Sequence, residues 1–183
     1  MTPQDALATL SKATLISPED APKRTPGLYL LHDHENVPRY IGQTMDLWDR
    51  IYLRHCSGDG NSHKWSTAFN AGRLWHDRKN PKSVGADGKI AKALRAQLAR
   101  RYCHVRVLPM PEKSAPDLSN LEHAVRKVAQ GSMTDWNDQK AIRAVEPTEL
   151  VDRLIRELRW GTEKRDAIDR QAIIWRGLIE KTA

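Results

Sequence analysis

Residues 27–43 read GLYLLHDHENVPRYIGQ, two short apolar runs that each carry a tyrosine close to a glycine, joined by a polar segment holding His32, Asp33, His34, Glu35, Asn36 and Pro38. Gly27 to Leu31 and Arg39 to Gly42 have strand character, and the polar residues between them make an antiparallel hairpin with a longer loop the economical reading. The sheet begins here. A tyrosine on each arm is, taken alone, a packing pattern, because a strand phenol ordinarily buries its ring and hydrogen-bonds its hydroxyl. Whether the pair does more depends on what the rest of the chain brings to it.

Upstream, PQDALATLSK at 3–12 predicts a short N-terminal helix, and SPEDAPKRTPG is a loop punctuated by Pro18, Pro22 and Pro26. Downstream, Thr44 is placed to N-cap a helix through MDLWDRIYLRH, with Leu47, Ile51 and Arg54 or His55 at helical spacing and Trp48 and Arg50 on neighbouring faces. CSGDGNS breaks that helix. A second helical stretch follows from about Lys64 to Trp75, and KNPKSVGADG is a loop. Residues 89–101, KIAKALRAQLARR, predict an amphipathic helix with Ile90, Leu94 and Leu98 as its apolar stripe.

Residues 102–108, YCHVRVL, alternate as a strand and end at Pro109. LSNLEHAVRKVAQ is helical, with Leu121, Val125 and Val128 inward, Asp117 or Ser119 as its cap and Gly131 as its stop. PTELVDRLIRELRW and RDAIDRQAIIWRGLIEK predict a helical pair packed on the domain or on a partner chain. The expected fold class is α/β in the α+β sense, a small three-stranded antiparallel sheet flanked by helices with a C-terminal helical extension. Its expected parts are an N-terminal helix and loop at 1–23, a central domain at 24–140 and the extension at 141–183.

A chain of 183 residues has room for one domain with a real core and a substantial appendage. Its apolar runs fall far short of the roughly 20 residues that cross a bilayer, and MTPQDALATL lacks a signal-peptide pattern, so a soluble cytoplasmic protein is expected. Cys56 and Cys103 have neither CxxC spacing nor a secreted frame, and with His63 and His76 they make no finger-like zinc pattern. The net charge of +7 is unevenly spread: Arg39 to Arg106 holds 14 Lys/Arg against 5 Asp/Glu, and the remainder 16 against 18. Concentrated positive charge suits a polyanion, whose condensed counterions are released on binding, although a solvated basic face has the same composition.

The hairpin's tripeptides carry a resemblance. GLY at 27–29 with YIG at 40–42 resembles the GIY-YIG nuclease superfamily, with Leu28 in place of isoleucine. The eleven-residue offset from Tyr29 to Tyr40, the ten-residue step to Arg50, and VRVLP followed by a helix containing Glu122 extend it over about residues 24–140. The resemblance implies an endonuclease that hydrolyses phosphodiester bonds in nucleic acid, DNA ahead of RNA, with Mg²⁺ (or Mn²⁺). It implies Tyr29 as general base, directly or by relaying a proton, and Tyr40 as the hydroxyl that holds the water or the scissile phosphate. Arg50 would clamp phosphate oxygens, and Glu122 would be the single protein carboxylate on the metal.

The residue types agree with that chemistry. Phosphodiester hydrolysis needs a proton acceptor, a cation for the charge growing on phosphate and a metal at the leaving oxygen. A phenol of ordinary pKa near 10 needs positive charge nearby to act as a base. A guanidinium fork spans two phosphate oxygens, and a lone carboxylate suits Mg²⁺, which keeps most of its waters. His63, in a Ser-His-Lys context, and His55, one residue further from Arg50 than in some members, match histidines of the family's site. Asn137 resembles a late asparagine that supports it, and Gln43 departs from the lysine or serine of many relatives.

Arg54, Lys64, Arg73, Lys89, Lys92 and Arg95 are the expected nucleic-acid contacts, while packing is the expected role of Trp65 and Trp75. Singly, each site residue has an ordinary reading: packing tyrosines, an ion-pairing Arg50, a Glu122 near a helix start. Their joint occurrence favours an enzyme, a compact stand-alone one, over a catalytically silent nucleic-acid-binding module of the same fold. A plain interaction protein working through its C-terminal helices is the further rival, and those helices are the expected route to any homodimer.

Overall fold

The computed structural model describes residues 1–60 and 63–181, so Asn61 and Ser62 of the predicted CSGDGNS break lie outside the described residues. The elements are α1 (Pro3–Lys12), β1 (Gly27–His32), β2 (Pro38–Thr44), a π-helix (Asp49–His55), α2 (Lys64–Ala68), α3 (Ala86–Tyr102), β3 (His104–Pro109), α4 (Ala115–Val128), α5 (Thr148–Glu157) and α6 (Thr162–Ile179), with short 3₁₀ turns between them. This is a mixed α/β fold with a three-stranded antiparallel sheet, as the sequence predicts. Among the described residues no helix is long and apolar enough to cross a membrane.

The division of the chain differs from the predicted one. Two compact units each take two stretches, Met1–His55 with Arg100–Ile142 and Cys56–Ala99 with Arg143–Ala183. The N-terminal helix thus belongs with the sheet, and the predicted C-terminal extension belongs with the middle of the chain.

In the first unit the strand order is β2-β1-β3. Leu28, Leu30 and Ile41 point to one face, where they form a core with Ala6 and Leu10 of α1 and Leu118 and Val125 of α4. α1 starts at a capping box in which Thr2 and Asp5 satisfy each other's backbone amides. α4 starts one turn before its predicted caps: Ser114, not Asp117 or Ser119, occupies the N-cap and accepts from the Asp117 amide at 3.4 Å. β3 starts at His104, later than predicted, because α3 continues to Tyr102. Gly27 lies opposite Pro109, so close to the Leu108 carbonyl that a Cβ there would overlap it.

The hairpin turn is organised by Asp33. Its Oδ1 accepts from the amides of Glu35 and Val37, both at 2.9 Å, and its Oδ2 accepts from Arg39 Nε at 2.8 Å. The His32 Nδ1–H donates to the Asn36 carbonyl at 2.9 Å.

The helix predicted after β2 has its cap at Asp46, whose Oδ1 accepts from the Asp49 amide at 3.1 Å, and Thr44 instead closes a turn onto the Asp46 amide. From Asp49 to His55 it is wound as a π-helix. Its outer surface is a ladder: Lys23 Nζ lies 4.8 Å from the Trp48 ring, Trp48 stacks on Tyr52 at 5.1 Å, and Arg100 sits 4.4 Å from the Tyr52 ring.

In the second unit the predicted helix from Lys64 to Trp75 is cut short. α2 stops at Ala68, and Gly72 adopts φ +55, a left-handed conformation in which a Cβ would collide with the Glu146 carboxylate. Trp65 and Trp75 are buried packing residues.

Candidate active site

The hairpin register decides where the tyrosines go. Tyr29 pairs with Gly42 and Leu31 with Tyr40, so both phenols stand on the sheet face opposite the α1–α4 core, as diagonal neighbours. Their ring centroids are 5.9 Å apart. Gly42 lies beneath both rings: a Cβ there would come within 2.5 Å of the Tyr29 hydroxyl and 2.6 Å of Tyr40 Cε1. The glycine of YIG is therefore the floor on which the two phenols meet.

His55 completes the aromatic cluster. Its Nε2 lies 2.9 Å from the Tyr29 hydroxyl, and its ring is 5.5 Å from Tyr29 and 5.7 Å from Tyr40. Arg50 is near enough to draw down the pKa of both phenols. In an α-helix a residue five positions on lies about 1.4 residues beyond a full turn, whereas the i→i+5 bonding of a π-helix sets such residues nearly above one another. The winding of Asp49–His55 therefore sets His55 nearly above Arg50.

Burial dominates the electrostatics. Tyr29 is wholly buried and its pKa is driven well above the ordinary phenol value, first by desolvation and then by Tyr40, with Arg50 only partly opposing. Tyr40 is half-buried; desolvation and the Glu122 charge raise it, while a hydrogen bond from Tyr29, Arg50 and Arg126 act the other way. The expected positive surroundings exist, but burial outweighs them at Tyr29, so this phenol stays protonated. Tyr40 is the one of the pair that reaches solvent.

Glu122 lies one turn into α4 beyond Leu118 and flanks the phenols. Its side chain is 14% exposed, and its oxygen Oε1 accepts from Arg126 Nη1 at 3.5 Å. Desolvation raises its pKa more than Arg126 and His123 lower it. A half-buried carboxylate with so weak a counter-ion has charge to spare for a divalent cation. Among the described residues no group of three or more His, Cys, Asp or Glu side chains is arranged as a metal cage. Glu122, a half-buried carboxylate with a distant counter-ion, fits an ion that takes one protein oxygen and keeps its waters, as Mg²⁺ does. Arg126 escaped the sequence reading, although Glu followed by Arg four positions on is a helical ion-pair spacing.

Asn137 supports the site from the edge of the sheet. Its Nδ2 donates to the Ile41 carbonyl at 2.8 Å and its Oδ1 accepts from the Ile41 amide at 3.2 Å, as a neighbouring strand would. The Trp136 amide adds a bond to the Arg39 carbonyl at 2.8 Å.

Tyr29, Tyr40, Arg50, His55 and Glu122 are thereby gathered within the first unit, and His63 belongs to the second, where it is the N-cap residue of α2 and its carbonyl accepts from the Thr67 amide at 2.7 Å. The predicted nucleic-acid contacts divide. Arg95 is fully buried, donating to Asn70 and to the carbonyls of Leu74 and Gly58, and burial lowers its pKa to about 10. Lys64 is buried too, and Arg73 is committed to Glu146 and Asp152, both at 2.6 Å. These three are framework groups rather than surface contacts. Lys89 is exposed, Lys92 lies 3.4 Å from Asp59, and Arg54 pairs with Asp49 at the surface.

No family model matches the chain, and no curated protein or solved structure matches it. Fold and site together define a mixed α/β unit with an aromatic, cationic and acidic cluster on the sheet face opposite its α1–α4 core.

Proposed function

We propose that this protein is a metal-dependent endonuclease of the GIY-YIG kind, hydrolysing phosphodiester bonds in nucleic acid, DNA ahead of RNA. The observation that carries the reading is the gathering of Tyr29, Tyr40, Arg50, His55 and Glu122 around one end of the hairpin, although 93 positions separate Tyr29 from Glu122. A packing pair of tyrosines has no need of a guanidinium, an imidazole and a desolvated carboxylate together.

The geometry favours a division of labour between the phenols. Before the shift, with His55 protonated on Nδ1, Tyr40 donates to the Tyr29 oxygen and Tyr29 to His55 Nε2; after it Tyr29 donates to the Tyr40 phenolate, the bond that lowers the Tyr40 pKa. One proton shift along that chain moves the Tyr40 proton to Tyr29 and the Tyr29 proton to His55 Nε2. Tyr40 is left as phenolate and His55 as imidazolium. Tyr40 then takes the proton of the attacking water, and Tyr29 acts as a positioning residue and relay. Arg50 holds two non-bridging phosphate oxygens. Glu122 would hold a divalent ion, which would supply positive charge at the leaving oxygen and offset the Glu122 charge that raises the Tyr40 pKa.

The test is cleavage of single-stranded DNA, duplex DNA and RNA by wild type and Glu122→Gln, with Mg²⁺, with Mn²⁺ and with chelator. Cutting by wild type alone, lost on chelation, is expected, with a drop of about a thousandfold or more for the variant. Failure of wild type to cut any substrate, or equal cutting by the variant, sinks the reading.

A further inference from the structure

Beside Glu122, α4 turns three basic side chains, His123, Arg126 and Lys127, onto an open pocket of about 290 Å³ whose other wall is Thr134, Asn137 and Asp138. That wall is fixed to the sheet. Asn137 bonds both backbone groups of Ile41, the Trp136 amide bonds Arg39, and Arg39 Nη1 reaches Asp135 at 2.7 Å. The one acid of the lining, Asp138, has its Oδ1 engaged by the Lys140 amide at 2.9 Å, so three basic side chains face a single carboxylate. Among the described residues the Lys127 side chain makes no hydrogen bond or ion pair, and Arg126 meets Glu122 only at the outer limit of one while 38% of its side chain stays exposed. Cations in the last turn of α4 favour the helix dipole. That accounts for their sign but not for the pocket they share with a turn segment tethered to the sheet edge.

We propose that this pocket is a second phosphate subsite, in which Arg126, Lys127 and His123 hold the backbone phosphate next to the one cut beside Glu122. Its place along a substrate rests on the nuclease reading; its anion chemistry does not. Arg126 offers a planar fork for two oxygens, Lys127 a mobile point charge and Thr134 a hydroxyl donor. Arg126 also links the two sites, since it can leave Glu122 for phosphate when a cation takes the carboxylate.

The experiment uses the full chain in chelator, so that nothing is cut. Binding of short single-stranded and duplex oligonucleotides is followed by anisotropy across a salt series, and binding of inorganic phosphate by calorimetry. Wild type is compared with Arg126→Ala, with Lys127→Ala, which replaces an exposed side chain and keeps the test sound if the arginine variant misfolds, and with exposed Lys181→Ala as the charge control. Each pocket variant is expected to weaken oligonucleotide binding about tenfold and to make the salt slope shallower by about one, with the control near wild type. Parallel loss of inorganic phosphate assigns the subsite to the phosphate group itself, and loss of oligonucleotide alone assigns it to phosphate within a chain. Unchanged affinity and slope, losses no larger than the control's, or a wild type that binds neither probe overturns the subsite. Cleavage reports separately: a chain that binds through Arg126 and Lys127 but cuts nothing keeps the subsite and loses the nuclease reading, and the converse pattern does the reverse.

Discussion

At the scale of single residues, Glu122 shows what the site costs the fold. Burial raises its carboxyl above the ordinary 4.5, so the folded chain binds that proton more tightly than the unfolded chain does. The corresponding stability is fully present below the unfolded pKa and is lost as pH rises through the higher folded value. At neutral pH, in chelator, a charged Glu122 is therefore a liability, because its Arg126 partner meets it only at 3.5 Å and offsets little of the burial. Glu122→Gln is expected to melt at a higher temperature than wild type at pH 7, the gap closing as pH falls through the raised folded pKa toward the ordinary 4.5. Thermal melts across that range check it, and a lower melting temperature for the variant at pH 7 contradicts the account. A residue that destabilises its own fold when charged is what a cation-binding role predicts, since the ion returns the stability on binding.

Among the elements, what was legible followed from strict periods. Two short apolar runs around a polar segment marked β1 and β2, alternation in YCHVRVL marked β3, and the hairpin register sets both tyrosines on the same face. Helical spacing found α1, α3, α4, α5 and α6. The π-helix was not legible, because seven residues of DRIYLRH satisfy an α pattern as well as a π pattern, and only packing chooses between them. Nor was the Ser114 cap, since three hydroxyl or carboxylate residues compete within one turn of each other. Asn137 was legible only by resemblance: no local pattern announces a side chain that imitates a strand. Its mimicry makes a prediction of its own. Asn137→Ala leaves the Ile41 amide and carbonyl on the sheet edge without their partner and is expected to cost about 1–3 kcal/mol in chemical denaturation. Hydrogen exchange should show the Ile41 amide losing protection while Leu30, inside the sheet, keeps its own. Equal protection at Ile41 in both proteins means the asparagine is ornamental to the sheet.

For the whole molecule, charge and chemistry are allotted to different units. The first unit holds 13 Lys/Arg against 12 Asp/Glu and the second 17 against 11, so +6 of the net +7 belongs to the unit without the phenols. Composition along the chain marks a basic segment but not this partition, because each unit is assembled from two separated stretches and no composition shift marks the joins at 55 and 99. Nor does helical spacing separate framework cations from contacts, since it does not say that Arg95 faces a loop instead of solvent. On the proposed function the second unit supplies sequence-independent attraction to phosphate, and its exposed lysines, not Lys64, Arg73 or Arg95, are the groups to reverse. Lys79→Glu, Lys82→Glu and Lys89→Glu together replace exposed side chains and are expected to move stability little, within about 0.5 kcal/mol each. Binding to DNA should fall by about a hundredfold or more at low salt, and the slope of log K against log salt should lose about two to three. Cleavage at saturating DNA should stay near wild type, because no catalytic group is touched. An unchanged salt slope would mean that the positive charge of this unit serves solubility, and would leave the pocket on α4 to carry the affinity for phosphate alone.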